Sequence, residues 1–518
     1  MTIRTTRRAT LAVTAGLAAA TAAAPAARTQ DRRILRIRSY MDVANLDPAF
    51  LRTRETDGVI ADAIYSRLIN YKSGTRWEWE LDAAESIEQV DATHVAFTLK
   101  QGIAWTDGFG EMTAEDVKYS FERMASEELG SPYQSDWAAL DHVEITGARS
   151  GVIVLSRPFA PLFTTTLPWS AGSIVSKAAV EQAGGKFEAQ VPASSGMFAL
   201  KEWLPNQRIV LARNEHYYGE RTPFDEVHII PIGDDKTAEL AFEAGELDYT
   251  NVAVSSLPEL RANPPAGGVL QVRPSETYYW VGINVEHEKF QDIRVRQAVQ
   301  HALDVDEIIE AAFFSETPRA TGIVAPGLIG HRDANLIEGR DVVKSKALLA
   351  EAGVPDGFET TITVLNQTDR VTATQVMQSH LAEVGIRAEI LAYESGDYWS
   401  QGQEADGDDW KKLQIMFLRY ASAPDPSWAT VWFTCAQVGI WNWERWCNAE
   451  FDSLHEQAAS EMDAAKRHPL YVRMQDLMEL SGAYTFVTHE ATAVLYRDTI
   501  VPGNRPNNDT ILRGFRLT

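Results

Sequence analysis

The chain has 518 residues, 45% of them hydrophobic, with a mean hydropathy of -0.23, which describes a soluble globular protein too long for a single core. Usual domain sizes divide such a length into about three folding units. Its 72 acidic and 48 basic residues leave a formal charge of -24, and a surface of that sign repels nucleic acid and anionic lipid.

Residues 1–30 contain Arg4, Arg7, Arg8 and Arg28 but no acid. The apolar run ATLAVTAGLAAATAAA is too short and too weakly hydrophobic to span a membrane, and the small residues from Ala22 to Ala27 suit a signal peptidase. This reads as an export signal. The pair Arg7-Arg8, with Thr10-Leu11 behind it, is similar to a twin-arginine signal, but Sec signals also carry adjacent arginines, so both routes stay open. No cysteine precedes Cys435, so a lipid anchor has no attachment point. The expected location is free in a periplasm.

From Arg32 onward strands alternate with helices. RILRIRS (33–39) sets Leu35 and Ile37 on one face, HVAFTLK (94–100) does the same with Val95, Phe97 and Leu99, and GVIVL (151–155) is a continuous apolar run. Thr113 precedes AEDVKYSFERM, with Asp116 placed for a capping box and Val117, Phe121 and Met124 in one helical stripe. Further on, Asp292 is expected to cap a helix whose stripe Val295, Ala298, Val299, Ala302 and Leu303 is core. The fold class is therefore α/β.

The stretch Leu413 to Cys447 is the most unusual. It holds Trp428, Trp432, Trp441, Trp443 and Trp446, five of the fourteen tryptophans, together with Phe417, Tyr420, Phe433 and both cysteines. A buried strand over Leu413–Leu418 should run into ASAPDP, whose prolines end ladder pairing, so that Tyr420, Ser422, Asp425 and Trp428 fall in a loop. Flat rings on a rigid, polar-tipped loop suit a ligand cleft, although any one tryptophan is more often core. Cys435 and Cys447 are expected to pair, since an exported chain meets an oxidising compartment.

FTLKQGIAWTDGFGEMTAEDVKYSFERM (97–124) resembles the signature of the family 5 extracellular solute-binding proteins, the peptide- and nickel-binding receptors of ABC importers. The resemblance continues through SSGMFALKEW and RIVLARNEHYYG (194–219), AELAFEAGELDYTNV (238–252), YYWVGINVEHEKFQDIRVRQAVQHALD (278–304) and SHLAEVGIRAEIL (379–391). It implies a two-lobed periplasmic binding protein fold of type II, with an extra domain, closing on a hinge. Lobe I would be discontinuous, over 32–72, 196–284 and 491–518. The extra domain would span 73–195 and lobe II 285–490, with crossings near Asn284 and Glu490. The second lobe's wall would come from Trp399, Tyr420, Ser422, Asp425 and Trp428, faced from lobe I by Tyr40 and Trp280. Partners would be a small organic ligand and an inner-membrane ABC permease, with the protein a monomer and no cofactor.

Receptors that take dipeptides hold the ligand's amino terminus with an aspartate where this chain has Ser422, and a hydroxyl does not neutralise an ammonium. Asp425, the remaining acid, either contacts ligand or caps the turn before Pro426. Arg370 reads as an exposed surface arginine or as an anchor for a ligand carboxylate. These features favour a peptide-like or opine-like solute, or another amino-acid or sugar-derived one. Nickel would have to arrive inside an organic chelate, because His and Cys are not clustered.

The rival class is a secreted hydrolase acting on a similar substrate. The sequence holds no HExxH, GxSxG, P-loop or GxGxxG at a strand-to-helix turn, and Ser194-Ser195-Gly196 reads as a turn. No catalytic residue or metal site is assigned. Asp234-Asp235 and Asp408-Asp409 read as solvated loops. A periplasmic chaperone or sensory partner would use the same cleft.

Overall fold

The computed structural model describes residues 33–188 and 190–518; the export signal expected over 1–30 lies outside them. Ten strands hydrogen bond in one continuous order, and two of them, Gly268–Ile283 and Tyr484–Arg497, form a long antiparallel ribbon at its centre. On one side lie Tyr249–Val252, Ile34–Ser39, Glu226–Pro231, Arg208–Arg213 and Phe198–Leu204. On the other lie Ile415–Tyr420, Glu359–Leu365 and Arg387–Tyr393. Ile34–Ser39 pairs in parallel with both its neighbours, as Glu359–Leu365 does with its own. Each side is thus an α/β unit, and the antiparallel ribbon joins them.

The ribbon's register shifts at two places, and the wider break lies between the two units. Pairing runs from Gly268↔Arg497 to Pro274↔Ala491 and resumes at Tyr278↔His489, so that residues 275–277 lie opposite Glu490 alone. Extra residues on one strand bend it and raise its local twist. Apolar side chains divide along the same line. Leu35, Ile37, Ile209, Val227 and Tyr249 pack with the C-terminal Leu512 and Phe515. Val281, Val295, Val299, Ile362 and Phe417 form a separate core.

A third core belongs to the four-stranded antiparallel sheet Ala84–Gln89, His94–Leu99, Ser150–Leu155 and Leu140–Gly147. Helix Ala114–Ala125 covers it with Val117, Phe121 and Met124, and Thr113 and Asp116 form the expected capping box. The apolar run 151–155 is not buried on both faces. Burial alternates along it, because the helix covers only one side of an antiparallel sheet. Asp292 caps helix Ile293–Ala302 by accepting from the Arg294 backbone N–H.

The tryptophan-rich stretch serves two purposes. Trp443, Trp446 and Trp432 are buried in a core with Trp280, Phe433 and Tyr484, whereas Trp428 and Trp441 are half-buried at its edge. Cys435 and Cys447 form a disulfide that closes a loop over Trp441–Trp446. A ring of this size removes about 3 kcal/mol of loop-closure freedom from the unfolded chain. Replacing both cysteines by Ala should therefore lower unfolding stability by about 3 kcal/mol, read from urea midpoints at constant slope. An unchanged midpoint would show that the tryptophan core alone holds this segment.

Candidate functional site

Between the two α/β units lies a cavity of about 270 Å³. One unit contributes Arg38, Tyr40, Arg54, Glu55 and Asp235; the other contributes Asp369, Arg370, Trp399, Arg419, Tyr420, Trp428 and Trp441. Thr277, Tyr279 and Glu490 form its floor at the break in the ribbon, and Asn507–Thr510 reach it from the C-terminal segment. Strand ends supply much of the wall. Tyr40 follows Ile34–Ser39, and Arg419 and Tyr420 end Ile415–Tyr420, so the chain leaves the sheet at the cavity rim.

Five arginines and five carboxylates line this space, and most of them are paired. Arg419 donates to Glu490 at 2.6 Å and 3.2 Å and to Glu55 at 2.8 Å, so one guanidinium links the second unit, the ribbon and the first unit. Tyr279 also donates to Glu490, at 3.1 Å. Burial works to raise the Glu55 carboxyl, but Arg419 prevails and holds it below the usual range. Arg38 pairs with Asp235 at 2.5 Å, which corrects the reading of Asp235 as solvated loop; its neighbour Asp234 caps helix Asp235–Glu243. Arg54 pairs with Asp509 at 2.6 Å and lies 3.5 Å from the Trp169 ring centre and 5.1 Å from that of Trp428. Such stacking adds attraction to a desolvated guanidinium.

The residues singled out from sequence separate into two groups. Tyr40, Trp399, Tyr420 and Trp428 are half-buried and line the cavity. Tyr420 donates to the Trp441 carbonyl at 2.6 Å, whereas the indole N–H groups of Trp399 and Trp441 are buried without a partner.

Trp280, Ser422 and Asp425 do not line it. Trp280 is fully buried behind Tyr420, its N–H donating to Glu444 at 2.7 Å, and Gly282 leaves the room that Glu444 needs. Burial pushes the Glu444 carboxyl up to about 7. Ser422 is also fully buried and donates to the Ala423 carbonyl at 3.3 Å, while its own carbonyl accepts from Asn507 at 3.0 Å. Asp425 accepts a bidentate pair from Arg467 at 2.7 Å and 2.8 Å, and further bonds from Thr164 at 3.2 Å and the Ser427 N–H at 3.0 Å. Its loop therefore docks the second unit onto the four-stranded domain. Trp169 stacks on Trp428 at 6.2 Å across the same junction.

Arg370 is only 5% exposed and belongs to the cavity wall, which overturns its reading as a surface arginine. Arg54, Glu55, Arg419, Trp441 and Asp369 went unselected. A charged residue next to a strand's end was the available signal for Arg419; Glu55 and Arg54, in a short helical turn, offered none. No group of His, Cys, Asp and Glu able to hold a metal occurs among the described residues.

The family model for bacterial extracellular solute-binding proteins, family 5 middle region, matches residues 78–439. The dipeptide-binding protein of Escherichia coli K12 is 27% identical over 470 residues, covering 84% of this chain and 86% of its own length. The fold is shared with the dipeptide-binding protein of Pseudoalteromonas sp. SM9913 bound to Met-Leu, at TM-score 0.85 and 20% identity, covering 94% of this chain and all of the other. It is shared equally with the MoaA binding protein of A. tumefaciens R10 bound to mannopinic acid, at TM-score 0.84 and 24% identity over 94% of this chain and 100% of that one.

The Asp425–Arg467 pair gives a pH-dependent expectation. Burial opposes ionisation of Asp425, but Arg467 outweighs it and lowers the folded-state value. Its stabilisation is therefore complete above the ordinary carboxylate range and is lost as pH falls through the lowered value. Arg467→Met strands a buried carboxylate and should cost about 3 to 5 kcal/mol at pH 7. That deficit should shrink at pH 4.5, where the unpaired acid takes up a proton. Urea midpoints showing an equal deficit at both pH values would contradict this account of the loop.

Proposed function

We infer that this chain, which belongs to the bacterial extracellular solute-binding proteins of family 5, captures a small peptide-like or opine-like organic solute in its cleft and delivers it to an ABC permease. The observation that carries this reading is the cavity itself, walled by two separate cores and floored by the two strands that join them. Curated and structural relatives named for dipeptide, glutathione and opine binding support the ligand class. These relatives are named for what they bind, and nothing supports the hydrolase alternative.

The first lobe comprises the unit holding Tyr40 and Glu55, with the four-stranded domain against it; the second holds Arg370, Arg419 and Trp428. We put the hinge at residues 275–277 opposite Glu490, and the interrupted ladder supports this in preference to a crossing at Asn284. A solute touching Tyr40 on one side and Trp399 or Tyr420 on the other adds interactions present only when the lobes meet. Ligand binding then shifts the population toward closure, because its affinity differs between the two states. The cross-cleft bonds of Arg419 to Glu55 and of Thr164 to Asp425 describe that closed arrangement. In this reading the protein works as a monomer in the periplasm, and an N-terminal signal carries it there.

Ligand-stripped protein, refolded and screened by thermal shift against dipeptides, tripeptides and opines, should respond to a member of one class. At one hundred times Kd, linkage contributes about 2.7 kcal/mol, and small-angle scattering should show a smaller radius of gyration. The solute should be recovered unchanged after long incubation. Altered solute would point to catalysis, and no response to any organic solute would refute the assignment.

A further inference from the structure

The second unit is also held from outside the cavity, by the four-stranded domain. Segment 156–169 leaves the end of strand Ser150–Leu155 and is fixed on its own side. Leu162 and Leu167 are buried in that domain's core, and Thr166 donates to the Asp136 carbonyl at 2.8 Å. Tyr71 donates to the Thr164 carbonyl at 2.8 Å, and the Arg54 guanidinium covers the Trp169 ring. From this base three side chains reach the second unit. Arg157 donates to Ser460 Oγ at 2.9 Å, at the last residue of helix Ala449–Ser460, and the turn Ala160–Phe163 packs beside that helix. Thr164 donates to Asp425 at 3.2 Å. The Trp169 indole stacks on Trp428 with the two rings 23° from parallel. None of Arg157, Thr164, Trp169 and Ser460 lines the cavity, whereas Trp428 does.

These contacts are built to open. Asp425 keeps Arg467, Tyr471 and the Ser427 N–H from its own unit when Thr164 leaves, and Arg157 and Ser460 are half-buried, so water can replace each of them for the other. No buried charge is stranded by separation, and a hydrogen bond exchanged for water changes the balance only modestly. We propose that segment 156–169 is a clasp that holds the closed state from outside the solute's contacts, so that the four-stranded domain sets the resting balance between separated and closed lobes. The proposal rests on the lobe closure of the solute-capture reading and adds a third body to it. Trp428 connects the two processes, because a solute resting on that ring bears on the same side chain that Trp169 holds. Capture and clasping favour one population, and weakening the clasp weakens capture without removing any contact to the solute.

Distances between two nitroxide labels, measured by pulsed electron spin resonance on the full chain without solute, test this. Val90, beside strand Ala84–Gln89, and Val343, in the second unit's helix Val342–Glu351, are 62% and 80% exposed. Both native cysteines are paired, so Val90→Cys/Val343→Cys takes one label at each site. Adding Thr164→Val and Ser460→Ala to this parent should raise the ratio of separated to closed lobes about ten-fold. Thr164→Ser, which keeps the hydroxyl, should leave the ratio where it is in the parent. Equal ratios in the parent and the Thr164→Val/Ser460→Ala protein, whether the lobes are closed or separated in both, would overturn the clasp. Glu55→Ala, which removes the cross-cleft partner of Arg419, tells that failure apart from a failure of closure itself. If it separates the lobes and the clasp variant does not, closure stands and the clasp falls. If neither variant moves the labels, both fall.

Discussion

Arg419 is the group on which the cleft depends. Its strand ends at the rim, and its guanidinium meets a carboxylate from the opposite wall, Glu55, and one from the ribbon, Glu490. Burying a guanidinium costs several kcal/mol unless its donors are matched; here the ribbon's Glu490 matches two of them and Glu55, on the facing wall, a third. Tyr279 adds a neutral donor to the Glu490 oxygen that accepts from Arg419 Nε, while the other oxygen accepts from Arg419 Nη2. The Glu55 bond therefore favours the separation of the walls seen here.

Behind that ion pair the wall is stiff. Trp280 fills the space under Tyr420, with its N–H fixed on Glu444, and the disulfide ties down the segment that carries Trp441 and Trp443. Large rings that contact one another on several edges leave few alternative rotamers, so Tyr420 and Trp441 present their faces to the cavity with little entropy left to lose on binding. The loop Ala421–Pro426 has a different role. Its acid is consumed by Arg467 and Thr164, and its backbone by Asn507, so the loop joins the second unit to the four-stranded domain and to the C-terminal segment.

The parts of the chain with local periodicity were legible in the sequence. Alternation in 33–39 and 94–100 and the capping box at Thr113 and Asp116 depend on neighbours within a few residues, and the structure forms them there. The run at 151–155 forms the expected strand, although continuous apolarity does not say how many faces are covered. In the cleft, Tyr40 and Tyr420 were visible as rings at a strand's end, whereas Trp428, expected in a loop, lies in the short helix Ser427–Val431 and Trp399 in Ser395–Ser400. Trp280 looked equivalent, but its face of the strand is packed against Phe433 and Tyr484, a fact set by residues far along the chain. The engagement of Asp425 was equally hidden, because its partners Arg467 and Thr164 lie 42 and 261 residues away. Arg370 appeared to be a surface residue for the same reason: helix position alone does not say which wall the helix meets.

Pairing most of the cleft's charges in advance has a consequence for selectivity. A solute entering a wall of free charges would gain Coulomb energy from any opposite charge, in almost any orientation. Where Arg38, Arg54 and Arg419 already have carboxylates at hydrogen-bonding distance, a misplaced ligand charge must compete with an existing short bond and leaves a buried group unpaired when it succeeds. The paired residues thus act against wrong solutes more than for right ones, and attraction is confined to the few donors and acceptors that the protein itself leaves unmatched. Orientation then follows from where those groups are. They lie on both walls, the Arg54 Nη1 and Nη2 nitrogens on the first unit and the Arg370 Nε with the Trp399 and Trp441 indole N–H groups on the second.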